Sequence, residues 1–351
     1  MLAGAIAICD SQATFEGIGG ERMASFGFRL WTHTRGWGGM GPIEALAKIP
    51  KLYTTMWLTA MRLRRRPVDL VVLVDFGAFN LRLAKSLRIL GYRGPVLNFF
   101  PPGAWLDKPS QAQTVASVST PLVAFEHQRD FYLSQGLPVH YFGHPLAPAY
   151  ALRPPRPAPP VDGGTIAILP GSREGELRNH LPALLDAYAI VKRSRPHARA
   201  IFGAADSSAQ ERIVEAVAQR AVQDASIVVS ANGALAQADA AWIASGTAVM
   251  EASLTGVPAI ALYILSQAQA RIARRVYHGE YITIPNLVLH KRVIPELLQE
   301  AATPRALASA MEALLADPQS QYTQLLDLRA ALGQPDSLDR CAAFAASLAR
   351  E

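Results

Sequence analysis

Apolar residues follow two rhythms along this chain, and their alternation predicts the architecture. Short, largely apolar runs at residues 70–74, 96–100, 122–125, 140–142, 165–169, 198–203, 227–230, 240–244 and 260–264 read as strands, and the first is continuous in the way of a parallel strand buried on both faces. Between them, apolar positions recur at helical spacing. Strand and helix in turn predict a parallel, doubly wound sheet. The alternation breaks once, between residues 151 and 164, where five prolines fall from Pro154 to Pro160 and the stretch ends in Asp162, Gly163 and Gly164. Such a segment is neither helix nor central strand and reads as a stiff linker. The predicted organisation is therefore an N-terminal domain over 1–150, a proline-rich linker over 151–164, a C-terminal domain over 165–330 and a final helix over 331–351. Two Rossmann-like domains so joined are expected to face each other across a cleft. Residues 1–9 read as the tail of an apolar helix and 13–20 as a short strand with a glycine turn. A domain of this type normally opens with a strand, so its first strand is expected to be missing.

Ligands of open α/β sheets collect outside the carboxyl ends of the strands, so the residues that follow each strand are the candidates for chemistry. The most informative run is Ser245-Gly246-Thr247-Ala248, with Glu251 one turn further on and Gly256 closing the helix. The first backbone N–H groups of a helix have no partner within it, so Gly246, Thr247 and Ala248 can face an anion such as a diphosphate, with the Ser245 and Thr247 hydroxyls beside them. Glu251 suits a vicinal diol such as a ribose. The competing reading is local: Ser or Thr caps the helix and Glu251 completes a capping box. A second turn, Pro170-Gly171-Ser172-Arg173, sets Ser172 and the forked guanidinium of Arg173 at another strand end, again suited to phosphate oxygens. Asp75 ends the 70–74 strand as a candidate acid or base, or as a helix cap. His144 at another strand end touches a ligand or serves as a local hydrogen-bonding residue.

Composition narrows the classes. The 351 residues are 50% hydrophobic and 18% charged, a globular balance with material for two cores. The net charge of +6 is uneven: residues 51–93 carry nine Lys and Arg against Asp69 and Asp75. A basic face suits anionic lipid or phosphate, and the aromatic interleaving of single-strand nucleic-acid binders is absent, so nucleic acid is not an expected partner. Within residues 42–66, Leu46, Ile49, Tyr53, Met56, Trp57, Ala60 and Met61 recur at helical spacing before Arg62, Arg64, Arg65 and Arg66. Tyr53, Met56, Trp57, Arg64 and Arg65 would then touch a membrane interface, unless the helix simply covers its sheet. Cys9 and Cys341 are too few for a disulfide framework, and a reducing cytoplasm is the expected compartment. No apolar run reaches a membrane span, so any membrane contact would be peripheral.

Leu169 to Arg173, Ser245 to Glu251, Pro285-Asn286-Leu287 and Glu296-Leu297-Leu298-Gln299 occur in that order. With them come Gly17-Ile18-Gly19-Gly20-Glu21-Arg22-Met23, Met40-Gly41-Pro42-Ile43-Glu44, Asp75 to Asn80 and Phe142-Gly143-His144. The ordered set resembles the lipid-A-disaccharide synthases, inverting glycosyltransferases of the two-domain GT-B type, over nearly the whole chain. The resemblance implies transfer of 2,3-diacylglucosamine from its UDP derivative to 2,3-diacylglucosamine 1-phosphate, with release of UDP, at the cytoplasmic face of the inner membrane. It implies a homodimer that exchanges C-terminal helices. Asp75 would be the general base; Ser172, Arg173, Ser245, Gly246, Thr247 and Ala248 would hold the diphosphate, Glu251 the ribose, and Asn286 and Gln299 the nucleotide side of the cleft. No Asp-x-Asp pair occurs, so neither metal nor cofactor is expected. Three departures stand out. The family's opening strand and Gly/Ser-rich loop precede the start of this chain, Ala78 replaces a second Asp, and only Pro102-Gly103-Ala104-Trp105 represents a longer Ser-Pro and Trp-Ala-Trp pattern. Another UDP-sugar enzyme of the same fold, an epimerase or a peptidoglycan-type transferase, and a non-catalytic UDP-binding remnant remain alternatives.

Overall fold

The computed structural model describes residues 1–34, 37, 42–101, 109–150, 152–277 and 279–350, with the backbone alone at 42–48, 78, 272 and 276. The chain forms two units, Met1–Ala149 with Leu332–Glu351, and Tyr150–Ala331. Met40, Gly41 and the Pro102-Gly103-Ala104-Trp105 string lie outside the described residues, as does the side chain of Ala78.

The first unit runs α1 (Leu2–Cys9), β1 (Glu16–Gly19), α2 (Glu21–Ser25), β2 (Arg29–His33), α3 (Pro42–Arg65), β3 (Val71–Val74), α4 (Gly77–Ile89), β4 (Val96–Phe99), α5 (Pro109–Val118), β5 (Thr120–Val123), α6 (Glu126–Ser134) and β6 (His140–Tyr141). Among the described residues β1 and β2 pair in parallel, and β3-β4-β5-β6 form a second parallel sheet in sequence order. Phe79, Leu83 and Leu87 recur every fourth residue on α4, and Met56, Ala60 and Leu63 do the same work on α3. Both stripes pack with Leu73 and Val96 on one face of the sheet. The 70–74 run is not buried throughout, because Val74 stands at the strand's exposed exit.

The second unit runs β7 (Gly163–Leu169), α7 (Glu174–Ser194), β8 (His197–Gly203), α8 (Ser207–Gln219), β9 (Ala225–Val228), α9 (Ala231–Gln237), β10 (Ala240–Ala244), α10 (Thr247–Thr255), β11 (Ala259–Tyr263), α11 (Gln267–Val276), α12 (Ile284–Leu289), β12 (Glu296–Leu298), a 3-10 turn (Gln299–Ala301), α13 (Pro304–Ala316) and α14 (Pro318–Ala331). Its parallel sheet has the order β12-β11-β10-β7-β8-β9. The chain moves outward from β7 through β8 to β9, then returns to the other side of β7 with β10 and moves outward again. The reversal leaves a switch point between β7 and β10. Ile166, Ile168 and Trp242 on those two strands are fully buried among Leu184, Tyr188 and Leu307, and the Trp242 indole N–H donates to the Leu307 carbonyl at 3.2 Å.

The proline-rich segment is fastened to this second unit. The Arg153 guanidinium donates to the carbonyls of Leu235 (2.9 Å) and Ala238 (2.7 Å), and Arg156 donates to those of Gln237 (3.0 Å) and Ala236 (2.9 Å). These carbonyls lie at the C-terminal end of α9 and just beyond it, where a cation is favoured by the helix dipole. The last helix, α15 (Ser337–Leu348), belongs to the first unit: Cys341, Ala345 and Leu348 pack with Leu97, Phe99 and Leu122 on the second face of its sheet. No helix among the described residues is long and apolar enough to cross a membrane.

Candidate active site

The turn that follows β10 opens at the switch point. Gly246 is the N-cap of α10 in extended backbone, and no side chain caps the helix. The capping-box alternative therefore fails: a box needs an acid at the third helical position, whereas Glu251 is the fifth residue of α10. Gly246 and Thr247 are exposed and Ser245 and Ala248 half-buried, so the helix start presents its amides and two hydroxyls outward. Behind it, the Ser245 amide donates to the Leu262 carbonyl at 3.0 Å, and Gly256, at φ 73°, closes the helix in the left-handed conformation that a Cβ disfavours.

The turn after β7 is organised differently. Glu176 reaches back from the first turn of α7, and its Oε2 accepts the amides of Ser172 (2.9 Å) and Arg173 (3.3 Å). Its Oε1 accepts the Arg173 guanidinium at 3.0 Å and the Tyr263 hydroxyl at 3.3 Å. The amides of Ser172 and Arg173 thus already have an anion, and what this turn offers a ligand is the exposed guanidinium and the Ser172 hydroxyl. One turn on, His180 is fully buried; its Nδ1 donates to the Pro170 carbonyl at 2.7 Å and its Nε2 accepts the Ile264 amide at 3.0 Å. Two such bonds admit only the neutral Nδ1–H tautomer, and burial lowers the ring's pKa to match. Glu176 and His180 escaped the sequence reading, although the acid three residues after Arg173 is a helix-start signal.

Two further expectations divide. Gln299 is half-buried at the end of β12 and accepts the Leu265 amide at 3.3 Å, close to the strand ends. Asn286 is corrected: at 0% exposure its amide donates to the Ile294 carbonyl (2.7 Å) and to Glu296 (2.9 Å), and its oxygen accepts the Ile294 amide (2.8 Å). Both amide hydrogens are used inside the 282–296 loop and the side chain has no exposed surface, so Asn286 holds that loop together rather than standing open to a nucleotide. Among the described residues no group of three His, Cys, Asp or Glu could hold a metal.

In the first unit, Asp75 and Phe76 leave β3 with φ of 46° and 40°, two consecutive non-glycine residues in left-handed backbone. Strain of about 1–3 kcal/mol per residue is tolerated there because the Asn80 side chain donates to the carbonyls of Val74 (3.0 Å) and Asp75 (2.7 Å). The N-cap of α4 is Phe76, so Asp75 is not a helix cap, and its carboxylate is exposed at the strand's carboxyl end. His144 is the local residue of its two readings: buried between Phe100 and Phe125, its Nδ1 accepts the Leu146 amide at 3.2 Å. On α3, Tyr53 (51%) and Trp57 (56%) are exposed, as are Arg64 and Arg65, whereas Met56 at 9% lies in the core. Met56 is therefore withdrawn from the lipid-contact set, since it faces the sheet with Ala60 and Leu63.

The fold recurs among solved structures. A UDP-GlcNAc 2-epimerase from Neisseria meningitidis, bound to UDP-GlcNAc, superposes with a TM-score of 0.57 at 11% identity, covering 95% of this chain and 98% of that one. The UDP-GlcNAc 2-epimerase of Methanocaldococcus jannaschii, in complex with UDP-GlcNAc and UDP, does so with 0.57 at 12% identity, over 95% and 99%. These likenesses define the class of fold: a Rossmann-like, two-domain α/β protein of GT-B type. Sequence carries the assignment further. The family model for lipid-A-disaccharide synthetase matches residues 5–343. Lipid-A-disaccharide synthase of Bordetella parapertussis is 33% identical over 322 residues, 86% of this chain and 81% of that protein. The Alkalilimnicola ehrlichii enzyme is 32% identical over 323 residues, 89% and 84% of the two chains. The chain belongs to the lipid-A-disaccharide synthase family, a family of glycosyltransferases.

Proposed function

We propose that this protein transfers 2,3-diacylglucosamine from its UDP derivative to 2,3-diacylglucosamine 1-phosphate, with inversion at the anomeric carbon, as a step of lipid A synthesis at the cytoplasmic face of the inner membrane. The observation that carries the reading is the uncapped start of α10 at the switch point between β7 and β10. The amides of Gly246, Thr247 and Ala248, the hydroxyls of Ser245 and Thr247, and the Ser172 and Arg173 side chains hold the diphosphate; Glu251 accepts the ribose hydroxyls, and Gln299 borders the nucleotide. The acceptor hydroxyl attacks the anomeric carbon from the side opposite UDP. As the new C–O bond forms, Asp75 takes the hydroxyl proton and the bond to the diphosphate breaks, its charge going to the helix start and Arg173. Neither metal nor cofactor enters this scheme. Tyr53, Trp57, Arg64 and Arg65 rest on the anionic inner-membrane surface. The C-terminal helix is the element that a homodimer would exchange.

The test is an assay of UDP release and disaccharide formation with both diacylated substrates. Asp75→Asn is expected to lower turnover by about 10²- to 10⁴-fold. Asn accepts left-handed backbone readily, so the thermal midpoint should hold, and UDP affinity should change little because the nucleotide residues belong to the second unit. Turnover within a few fold of the parent would remove Asp75 as the base. UDP-GlcNAc supplied alone is the control for epimerisation, which needs no acceptor.

A further inference from the structure

β7 and β11 are not neighbours in the sheet; β10 lies between them. Their carboxyl ends are nevertheless joined, and the joint is built from one face of α7. Glu176, Asn179 and His180 stand at positions i, i+3 and i+4 and project together from that helix. Glu176 binds the turn after β7 through the Ser172 and Arg173 amides and reaches Tyr263, the last residue of β11. Asn179 donates to the Ile264 carbonyl at 3.1 Å, and His180 joins the Pro170 carbonyl to the Ile264 amide. Gln299 extends the chain of bonds from Leu265 to the end of β12. Every polar atom of the buried imidazole is used, and the ring packs against Tyr263 with centroids 5.4 Å apart. The network spans the end of the strand whose turn, Ser245 to Ala248, offers the open helix start.

We propose that Glu176 and His180 are positioning residues of the phosphate site: they fix the turn after β7 against the end of β11 so that the Arg173 guanidinium is aimed at a diphosphate seated on the start of α10. The inference rests on the nucleotide reading above. A diphosphate has two anionic groups a few ångströms apart, and one helix start satisfies one of them; the other needs a cation held in fixed register with that start. Arg173 is on an exposed turn, and a free arginine on such a turn samples many rotamers. Glu176 removes that freedom by holding the Arg173 backbone and guanidinium at once, and His180 anchors the turn one residue before Gly171.

Calorimetric titration with UDP of the full chain tests this, with Glu176→Gln, His180→Asn and Arg173→Ala and each pair with Arg173→Ala. Gln keeps an acceptor and Asn keeps a donor, so both variants preserve part of the network and the fold. Each is expected to weaken UDP by about tenfold, the size of effect that partners of a binding group have. In the Arg173→Ala background the same substitutions should change UDP affinity by less than about twofold, because their effect passes through Arg173. Losses that add to that of Arg173→Ala, or unchanged affinity far below a lowered thermal midpoint, would overturn the assignment and leave the network as structural support. A parent chain that does not bind UDP overturns the nucleotide reading, and the inference with it.

Discussion

The His144 ring is 4% exposed between Phe100 and Phe125, and this burial, which disfavours the charged form, pushes its pKa down to about 4. In the unfolded chain the same ring titrates near 6.5. Between those values the unfolded state binds a proton that the folded state refuses, so the contribution of His144 is fully present above pH 6.5 and is lost as pH falls toward 4, by on the order of 3 kcal/mol. Thermal midpoints across that range should fall more steeply for the parent than for His144→Asn, which has no proton to take up; parallel curves would show that the ring titrates normally. Residue identity alone conveyed this unevenly. Asp75 at a strand end and the glycine turn at 245–248 were legible because strand exits are marked by sequence. Asn286 was misjudged because burial, which decides whether an amide reads a ligand or its own backbone, is set by the 282–296 loop as a whole. The link that Glu176 and His180 make between strand ends was overlooked because its far side, Tyr263 and Ile264, lies more than 80 residues away.

At the scale of an element, α3 shows what periodicity conveys. Its sequence carries two apolar stripes, Met56-Ala60-Leu63 and Ile49-Tyr53-Trp57, and only the first is buried against the sheet. Spacing fixes the helix but does not rank two stripes of similar hydropathy, so the division between core and surface appears only in three dimensions. The strands were more legible, since a parallel strand buried on both faces admits few polar residues and reads as a continuous run. A basic helix with an exposed Tyr and Trp should bind anionic vesicles through apolar burial and charge together. Trp57→Ser with Arg64→Ser and Arg65→Ser should reduce flotation with phosphatidylglycerol vesicles while the thermal midpoint stays near that of the parent. Met56→Ser should lower the midpoint instead, by the loss of a core side chain worth about 2–5 kcal/mol. Undiminished flotation of the triple variant would take α3 away from the membrane surface.

For the whole molecule, the decisive feature is that the first unit is interrupted by the second and completed by α15. Deleting residues 332–351 removes Cys341, Ala345 and Leu348 from the cluster on Leu97, Phe99 and Leu122, whereas the second unit keeps its own core. Limited proteolysis of the shortened chain should therefore degrade 1–149 and spare 150–331, and equal resistance of both units would show that α15 is dispensable. The parallel order of the four- and six-stranded sheets could be anticipated from the alternation of runs, but the return of the last helix to the first unit could not, because an amphipathic helix does not encode which distant surface it will cover. A ribosome makes these residues in order, so the unit begun first is finished last: its sheet emerges with one face uncovered and waits while 182 residues of the second unit are synthesised. The nascent protein must keep Leu97, Phe99 and Leu122 from other surfaces throughout that interval, which lengthens as translation slows.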